Sequence, residues 1–420
     1  MRIIADLHIH SPYSRAVSKE MTLENLDVWA RMKGITVMGT GDFTHPKWMK
    51  EIKTKLEPAE PGLYQLRTPN SELRTRKTRF LLTVEISSIY KKNGKTRRIH
   101  NLIFSPSVET AEKINAALGW RGNLKSDGRP ILGLDSRELA KIVLDIDPKA
   151  MIVCAHVWTP WFSLFGSMSG FDTIKECFDD YAKYIRLVET GLSSSPAMNW
   201  RVSQLDQIGI ISNSDSHSLQ RIGREANVFD CNLSYAGIVD AMTSRDPKKF
   251  LFTVEFYPEE GKYHYDGHRQ CNFSSSPEET REHKGLCPVC GKPVTVGVLN
   301  RVEKLADRPL GFTHAGSIPY KSLVPLDEII AEGLGMGTSA KRVKAEYRKL
   351  IDAIGSEFAA LVDAPRSDLA SATTPEIVQG IIAVREGKVR IEPGYDGEYG
   401  KVKIFAEGET PGATPQGALF

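Results

Sequence analysis

The first 255 or so residues of the chain repeat one arrangement. A short apolar segment with strand character comes first, a histidine or carboxylate stands at or near its end, and amphipathic helical stretches separate several of the segments. Segments 2–8, 35–39, 80–86, 98–104, 151–156, 185–189, 210–213 and 250–256 read as buried strands. Leu23, Leu26, Ala30 and Met32 mark one helix, stopped by Gly34, and Leu139, Ile142 and Val143 mark another, opened by Ser136. Lys92-Asn93-Gly94-Lys95 predicts a tight hairpin between two strands. Such alternation argues for a mostly parallel sheet, either open or closed into a barrel.

In parallel α/β folds the strand ends converge on one face, where sites are built. His8 and His10 end the first segment, Asp42 follows the second, Glu85 ends the third and His100 lies in the fourth. His156 ends the fifth, Glu189 the sixth, and Asp215 with His217 follows the seventh. Any one of these can be a solvated or hydrogen-bonded side chain. Desolvating all of them together requires compensating cations. Mixed imidazole and carboxylate donors suit zinc, manganese or iron and fit calcium poorly. Clustered divalent ions acidify water and stabilise both oxygens of an in-line phosphoryl displacement. No Gly-rich phosphate loop or dinucleotide fingerprint competes with that chemistry.

The strand–helix pattern fades after residue 255. His268 and Cys271, then Cys287-Pro288-Val289-Cys290, place two turn-borne pairs at a spacing that resembles a zinc ribbon. His264 and His283 also lie close, which leaves the fourth ligand open. Cys154, Cys177 and Cys231 sit in apolar surroundings and read as buried thiols. From 325 to 385 the pattern is helical, with Ile329, Ile330, Val343, Tyr347, Leu350 and Ile354 as core, and 388–405 can add a hairpin. The expected organisation is a barrel over 1–255, a ribbon over 256–310, a helical domain over 311–407 and a tail over 408–420. No apolar run reaches membrane-spanning length and the start lacks signal-peptide regions, so a cytoplasmic protein is expected.

Asp6-Leu7-His8-Ile9-His10, Glu85 after an apolar strand, Ala155-His156-Val157 and Asp215-Ser216-His217 resemble the motifs of the PHP (polymerase and histidinol phosphatase) superfamily. That resemblance implies a distorted seven-stranded (β/α) barrel with two or three divalent metals, zinc, manganese or magnesium. It implies His8, His10, Glu85, His100, His156, Asp215 and His217 as ligands, with Asp215, His8, His10 and Glu85 central to catalysis. Typical members carry an acidic residue where this chain has Ser14-Arg15, and an Asp-His pair where it reads Asp42-Phe43. Either His45, two residues on, substitutes, or one metal is held differently.

Further segments are similar to the endonuclease Q family within that superfamily. They include Gly41-Asp42-Phe43-Thr44-His45-Pro46, His264-Tyr265-Asp266-Gly267-His268 and Pro393-Gly394-Tyr395-Asp396-Gly397. Membership implies a hydrolase that cuts DNA on the 5′ side of hypoxanthine, uracil, xanthine or an abasic site. Net charge is only +3, so DNA must be held by local patches. Candidate patches are Arg74, Arg76 and Lys77, the 91–98 hairpin with Lys92 and Arg97, and Lys341, Arg342 and Lys344. Trp158, Trp161 and Phe162 are candidates for stacking on an extruded base. The final Gln416, Leu419 and Phe420 resemble a peptide that docks on the bacterial sliding clamp, with nucleoid association to follow. Two other readings are a phosphatase acting on a small monoester, and a lesion-binding module without catalysis.

Overall fold

The computed structural model describes residues 1–68 and 77–405. Arg74 and Arg76, and the tail with Gln416, Leu419 and Phe420, lie outside the described residues.

Ten strands form one continuous hydrogen-bonded path. In chain order they are β1 (Arg2–Asp6), β2 (Val37–Gly39), β3 (Arg79–Lys92), β4 (Lys95–Ser105) and β5 (Met151–Cys154). Then come β6 (Leu187–Glu189), β7 (Gly209–Ile211), β8 (Ala226–Asp230), β9 (Phe250–Glu255) and β10 (Tyr320–Ser322). Their order across the sheet is β7-β6-β5-β4-β3-β2-β1-β8-β9-β10. β1, β2 and β3 are mutually parallel, as are β5, β6 and β7, while β4 runs antiparallel between the two groups. Asn93 and Gly94, both at positive φ, make the tight turn joining β3 to β4, as Asn-Gly sequences do. That hairpin is long, so Glu85 sits in mid-strand rather than at a strand end.

The sheet curls into a half-barrel whose main-chain ladder does not close among the described residues. The seam between β7 and the β1–β8 side is spanned by a side chain. The Asn227 carboxamide accepts from the Ser212 N–H at 3.0 Å and donates to the Ser212 carbonyl at 2.6 Å, standing in for a strand. One further bridge pairs Ile9 with Ser216.

Local chemistry explains the surrounding helices. In α1 (Leu23–Lys33) the Thr22 hydroxyl caps the N-terminus and Gly34, at φ 90°, bonds back to Ala30 and Arg31. Its apolar stripe of Leu23, Leu26 and Ala30 is fully buried. In the C-terminal region Ile329, Ile330, Val343 and Leu350 are buried as expected, and Ile354 is only partly covered. A buried Lys33–Glu357 pair at 2.7 Å and an Arg2–Asp363 pair at 2.9 Å tie that region to the half-barrel. β10 belongs to the same region yet pairs with β9, so the sheet continues beyond residue 255.

Two carboxylates, Glu225 before β8 and Glu255 at the end of β9, are fully buried at the end of the sheet where β1 delivers His8 and His10. Burial lifts Glu225 well above the ordinary carboxylate range, with Glu255 adding to the rise, and burial lifts Glu255 to about 8. One oxygen of each has no hydrogen-bond partner. The folded chain therefore keeps protons that the unfolded chain releases near 4.5. Stability is full below that value and falls as the pH rises towards about 8. Melting temperature between about pH 5 and about pH 8 should fall in the parent and fall less in Glu255→Gln. A parent flat across that window would count against a protonated pair.

Candidate metal centre

β1 delivers His8 and His10 just past its end, and the loop after β7 delivers Asp215. With Glu85 from β3 they form one set whose donor atoms lie within 4.8 Å of one another. A second set joins Glu85 to His100 of β4 and His156 after β5. Glu85 is common to both: Oε1 is 2.7 Å from His100 and 2.9 Å from His156, and Oε2 is 3.4 Å from His10. A carboxylate shared between two donor sets is what a bridge between two cations requires.

The imidazoles are already oriented. His8 Nδ1 lies 3.0 Å from a Glu189 oxygen, so the ring donates there and turns the lone pair of Nε2 into the site. That Nε2 is buried and has no hydrogen-bond partner. His10 Nδ1 donates to Asp42 at 3.1 Å, which directs its Nε2 towards Asp215 at 3.0 Å. Asp42 in turn accepts from the Ser11 N–H, the Ser11 hydroxyl and the Ser14 hydroxyl, at 2.7, 2.6 and 2.8 Å. These are the outer carboxylates by which proteins fix the tautomer of a metal-binding histidine.

The charge balance calls for cations. Burial disfavours the charged form of His8, but Glu189, Asp215 and Glu85 outweigh it and hold the ring well above its ordinary range. His10 is raised in the same way against burial, chiefly by Asp42. Burial would raise Glu85, yet His100, Arg129 and His8 hold it well below the usual range. Burial pushes His100 down to about 4, leaving it a neutral donor at pH 7. Asp42, His156 and Asp215 also adopt positive φ, a conformation kept at functional sites by their surroundings.

The other expected site residues fall in several places. His217 packs at a tilt against His10, ring centres 4.7 Å apart, and lies outside both sets. His45 stacks on Tyr13 at 4.4 Å, and Phe43 is wholly in the core. Trp158 cannot present a face to a base: it is fully buried, packs on Phe165 and donates to Asn199 at 2.8 Å. Phe162, against His100, is half-buried beside the centre, and Trp161 is half-buried against Tyr263. Two of the expected backbone contacts are taken up internally. Lys92 binds Asp179 at 2.8 Å and the Cys177 carbonyl at 2.9 Å, while Arg97 lies 4.0 Å over Phe171 and donates to the Gly170 carbonyl. Lys77, Lys341, Arg342 and Lys344 are exposed. Arg129, bonded to Glu85 at 3.1 Å, was not singled out by the sequence; its signal was only a basic residue in a Gly-rich loop.

A separate set unites His268, Cys271, Cys287 and Cys290 within 4.8 Å. His268 ends a short strand, Asp266–His268, paired with Phe273–Ser275, and Gly291 at positive φ relaxes the second knuckle. His264 and His283 are not in the set. Three thiols and one imidazole fit a closed tetrahedral site.

Comparison with known proteins adds to this geometry. The MJ0043 C-terminal domain family matches residues 325–388. Protein MJ0043 of Methanocaldococcus jannaschii is 33% identical over 256 residues, 59% of this chain, which spans 31% of that protein's length. YqxK of Bacillus subtilis is 30% identical over 417 residues, covering 96% of this chain and 99% of that one. The crystal structure of the lesion-specific endonuclease PfuEndoQ from Pyrococcus furiosus superposes with a TM-score of 0.85. It is 32% identical and covers 96% of each chain. The chain belongs to the endonuclease Q family. Endonuclease Q in complex with a 27-mer duplex carrying an abasic lesion at the active site is likewise 32% identical, with a TM-score of 0.83. That match covers 97% of this chain and 98% of that one, so the endonuclease Q likeness takes in half-barrel, ribbon and helical region together.

Proposed function

We propose that the chain is a metal-dependent DNA-repair endonuclease that hydrolyses the phosphodiester on the 5′ side of a deaminated base or an abasic site. The observation that carries this reading is the pair of donor sets sharing Glu85, with His8 and His10 pre-oriented by Glu189 and Asp42. The full-length likeness to a lesion-specific endonuclease supports it.

His8, His10, Glu85 and Asp215 would hold one divalent cation, and Glu85, His100 and His156 a second. Bound there, divalent ions acidify water and neutralise charge on phosphoryl oxygens. Glu189 and Asp42 accept the Nδ1–H of each ring and aim Nε2 at the site, where a bound cation would take the place of the Nε2 proton. Arg129, against Glu85, places a fixed positive charge beside a phosphate that enters. Phe162 supplies a half-buried aromatic face against His100, and Trp161 on the same loop a half-buried face against Tyr263, for an extruded base. The His268, Cys271, Cys287 and Cys290 set would hold a structural zinc. Docking of Gln416, Leu419 and Phe420 on a sliding clamp belongs to the same reading and rests on the sequence alone. No helix among the described residues is long and apolar enough to cross a membrane.

The test is nicking of an end-labelled duplex with one hypoxanthine, beside an undamaged control, under magnesium, manganese or zinc. Cleavage 5′ of the lesion alone is expected. Hydrolysis of a small phosphate monoester with no nicking under any metal would replace the reading with a phosphatase.

A further inference from the structure

Helices Pro46–Lys55 and Val108–Gly119 flank an open groove of about 820 Å3. Trp120, the cap of the second helix, is 90% exposed, more than any other large apolar side chain among the described residues. A lone indole so placed on a globular surface has no folding role and is well suited to a planar partner. Lys50 and Lys125 line the groove and are exposed, and Arg121 beside Trp120 is exposed too. None of these three makes an ion pair within the described residues, whereas the lining Lys53 is paired with Glu112.

Both walls of the groove run into the metal centre. Thr44 and Pro46, on one side, directly follow Asp42, which holds His10. On the other side the loop from Lys125 reaches Gly128, where a Cβ would lie 2.2 Å from an Asp42 oxygen, and then Arg129, bonded to Glu85. Four residues reach no further than about 14 Å. A strand whose phosphate sits beside Arg129 thus has Lys125 within about 14 Å, and the Trp120 face, nine residues from Arg129, within about 32 Å.

We propose that this groove is a second nucleic-acid contact. Lys50 and Lys125 hold phosphates of the strand leaving the metal centre in the groove, and Trp120, next to the lining Gly119, stacks on an unpaired base beside it. The proposal rests on the endonuclease reading above. Stacking on an aromatic side chain accepts any base, so the contact would add affinity without sequence preference. Salt-dependent phosphate contacts would accompany it.

Binding of a fluorescent lesion duplex tests the proposal, measured in the Asp215→Asn background so that the strand stays intact. Trp120→Ala should weaken binding at least about fivefold, and Trp120→Phe should restore most of the loss. Lys125→Ala should lower the slope of log affinity against log salt by about one. A 2-aminopurine placed in turn at positions beside the lesion should be quenched at one of them, and Trp120→Ala should relieve the quenching. Trp120 is exposed, so its replacement leaves the fold intact. Unchanged affinity in Trp120→Ala, with wild-type protein still nicking lesion DNA, would overturn the groove and leave the endonuclease reading standing. Wild-type protein that neither binds nor nicks lesion DNA would overturn both. Loss of a protein partner with no change in DNA affinity would reassign Trp120 to that partner and overturn the proposal as well.

Discussion

Asp215→Asn should reduce single-turnover nicking of a lesion-bearing duplex by at least about a thousandfold, on the order of 4 kcal/mol in the barrier. The Asp215 carboxylate lies 3.0 Å from His10 and 3.4 Å from His8, and His8 with His10 holds it far below the ordinary carboxylate range against its burial. An amide keeps the shape and one acceptor but removes the negative charge that a cation needs. Asparagine also suits the backbone here, because residue 215 sits at φ 47°, a region that Asn tolerates better than most residues. Circular dichroism should therefore match the parent, metal analysis should show reduced occupancy, and melting should match the parent once both proteins are stripped of metal. Nicking within tenfold of wild type would remove Asp215 from the centre of the chemistry.

Cys287→Ser should have the largest effect on structure. Cys287 is buried, and between Asp266 and Thr295 the regular structure is the short pairing of Asp266–His268 with Phe273–Ser275, a single turn at Arg269–Cys271 and the helix Pro277–Glu282. So little apolar surface cannot hold such a segment. A structural zinc supplies roughly 10–16 kcal/mol of apparent binding energy in small zinc-folded peptides. The variant should lose about one equivalent of zinc and become susceptible to protease between residues 268 and 295. Loosening should reach the hairpin of Arg390–Glu392 with Lys401–Lys403. Asp396, in its connecting turn, accepts from Thr295 and the Arg269 N–H, both at 2.6 Å. Hydrogen exchange would register both segments ahead of the half-barrel. Unaltered zinc content and protease resistance would show that the cysteine set holds no metal.

The sequence reveals the centre because its ligands come from strand ends, where polar residues interrupt apolar runs that are easy to see. His8, His10, His156 and Asp215 are of this kind. What it cannot reveal is which carboxylate faces the site and which stands behind an imidazole. Asp42 and Glu189 look like Glu85 in the sequence, yet they act on His10 and His8 from the outer side. β8 escaped notice because Asn227 and the neighbouring Glu225 break its apolar pattern, although both are buried. Basic residues are equally ambiguous along a hairpin. Lys92 folds onto Asp179 and Arg97 onto Phe171, while Lys125 in an unremarked loop is exposed and makes no ion pair among the described residues. Trp158 and Trp161 lie three residues apart, and only tertiary packing decides that the first is core and the second borders a surface groove.

The unlaced seam of the half-barrel bears on how metal and fold are linked. Ile9 and Ser216, the pair that bridges it, stand between His8 and His10 on one side and between Asp215 and His217 on the other. An ion held by His8, His10 and Asp215 would clasp two margins that the backbone joins here through the hydrogen bonds of Ser216 with His8 and His10. Whatever binds only the closed arrangement shifts the opening equilibrium towards it. Occupancy of the centre and closure of the seam are then two views of one thermodynamic balance: the protein grips its metal by completing its own wall.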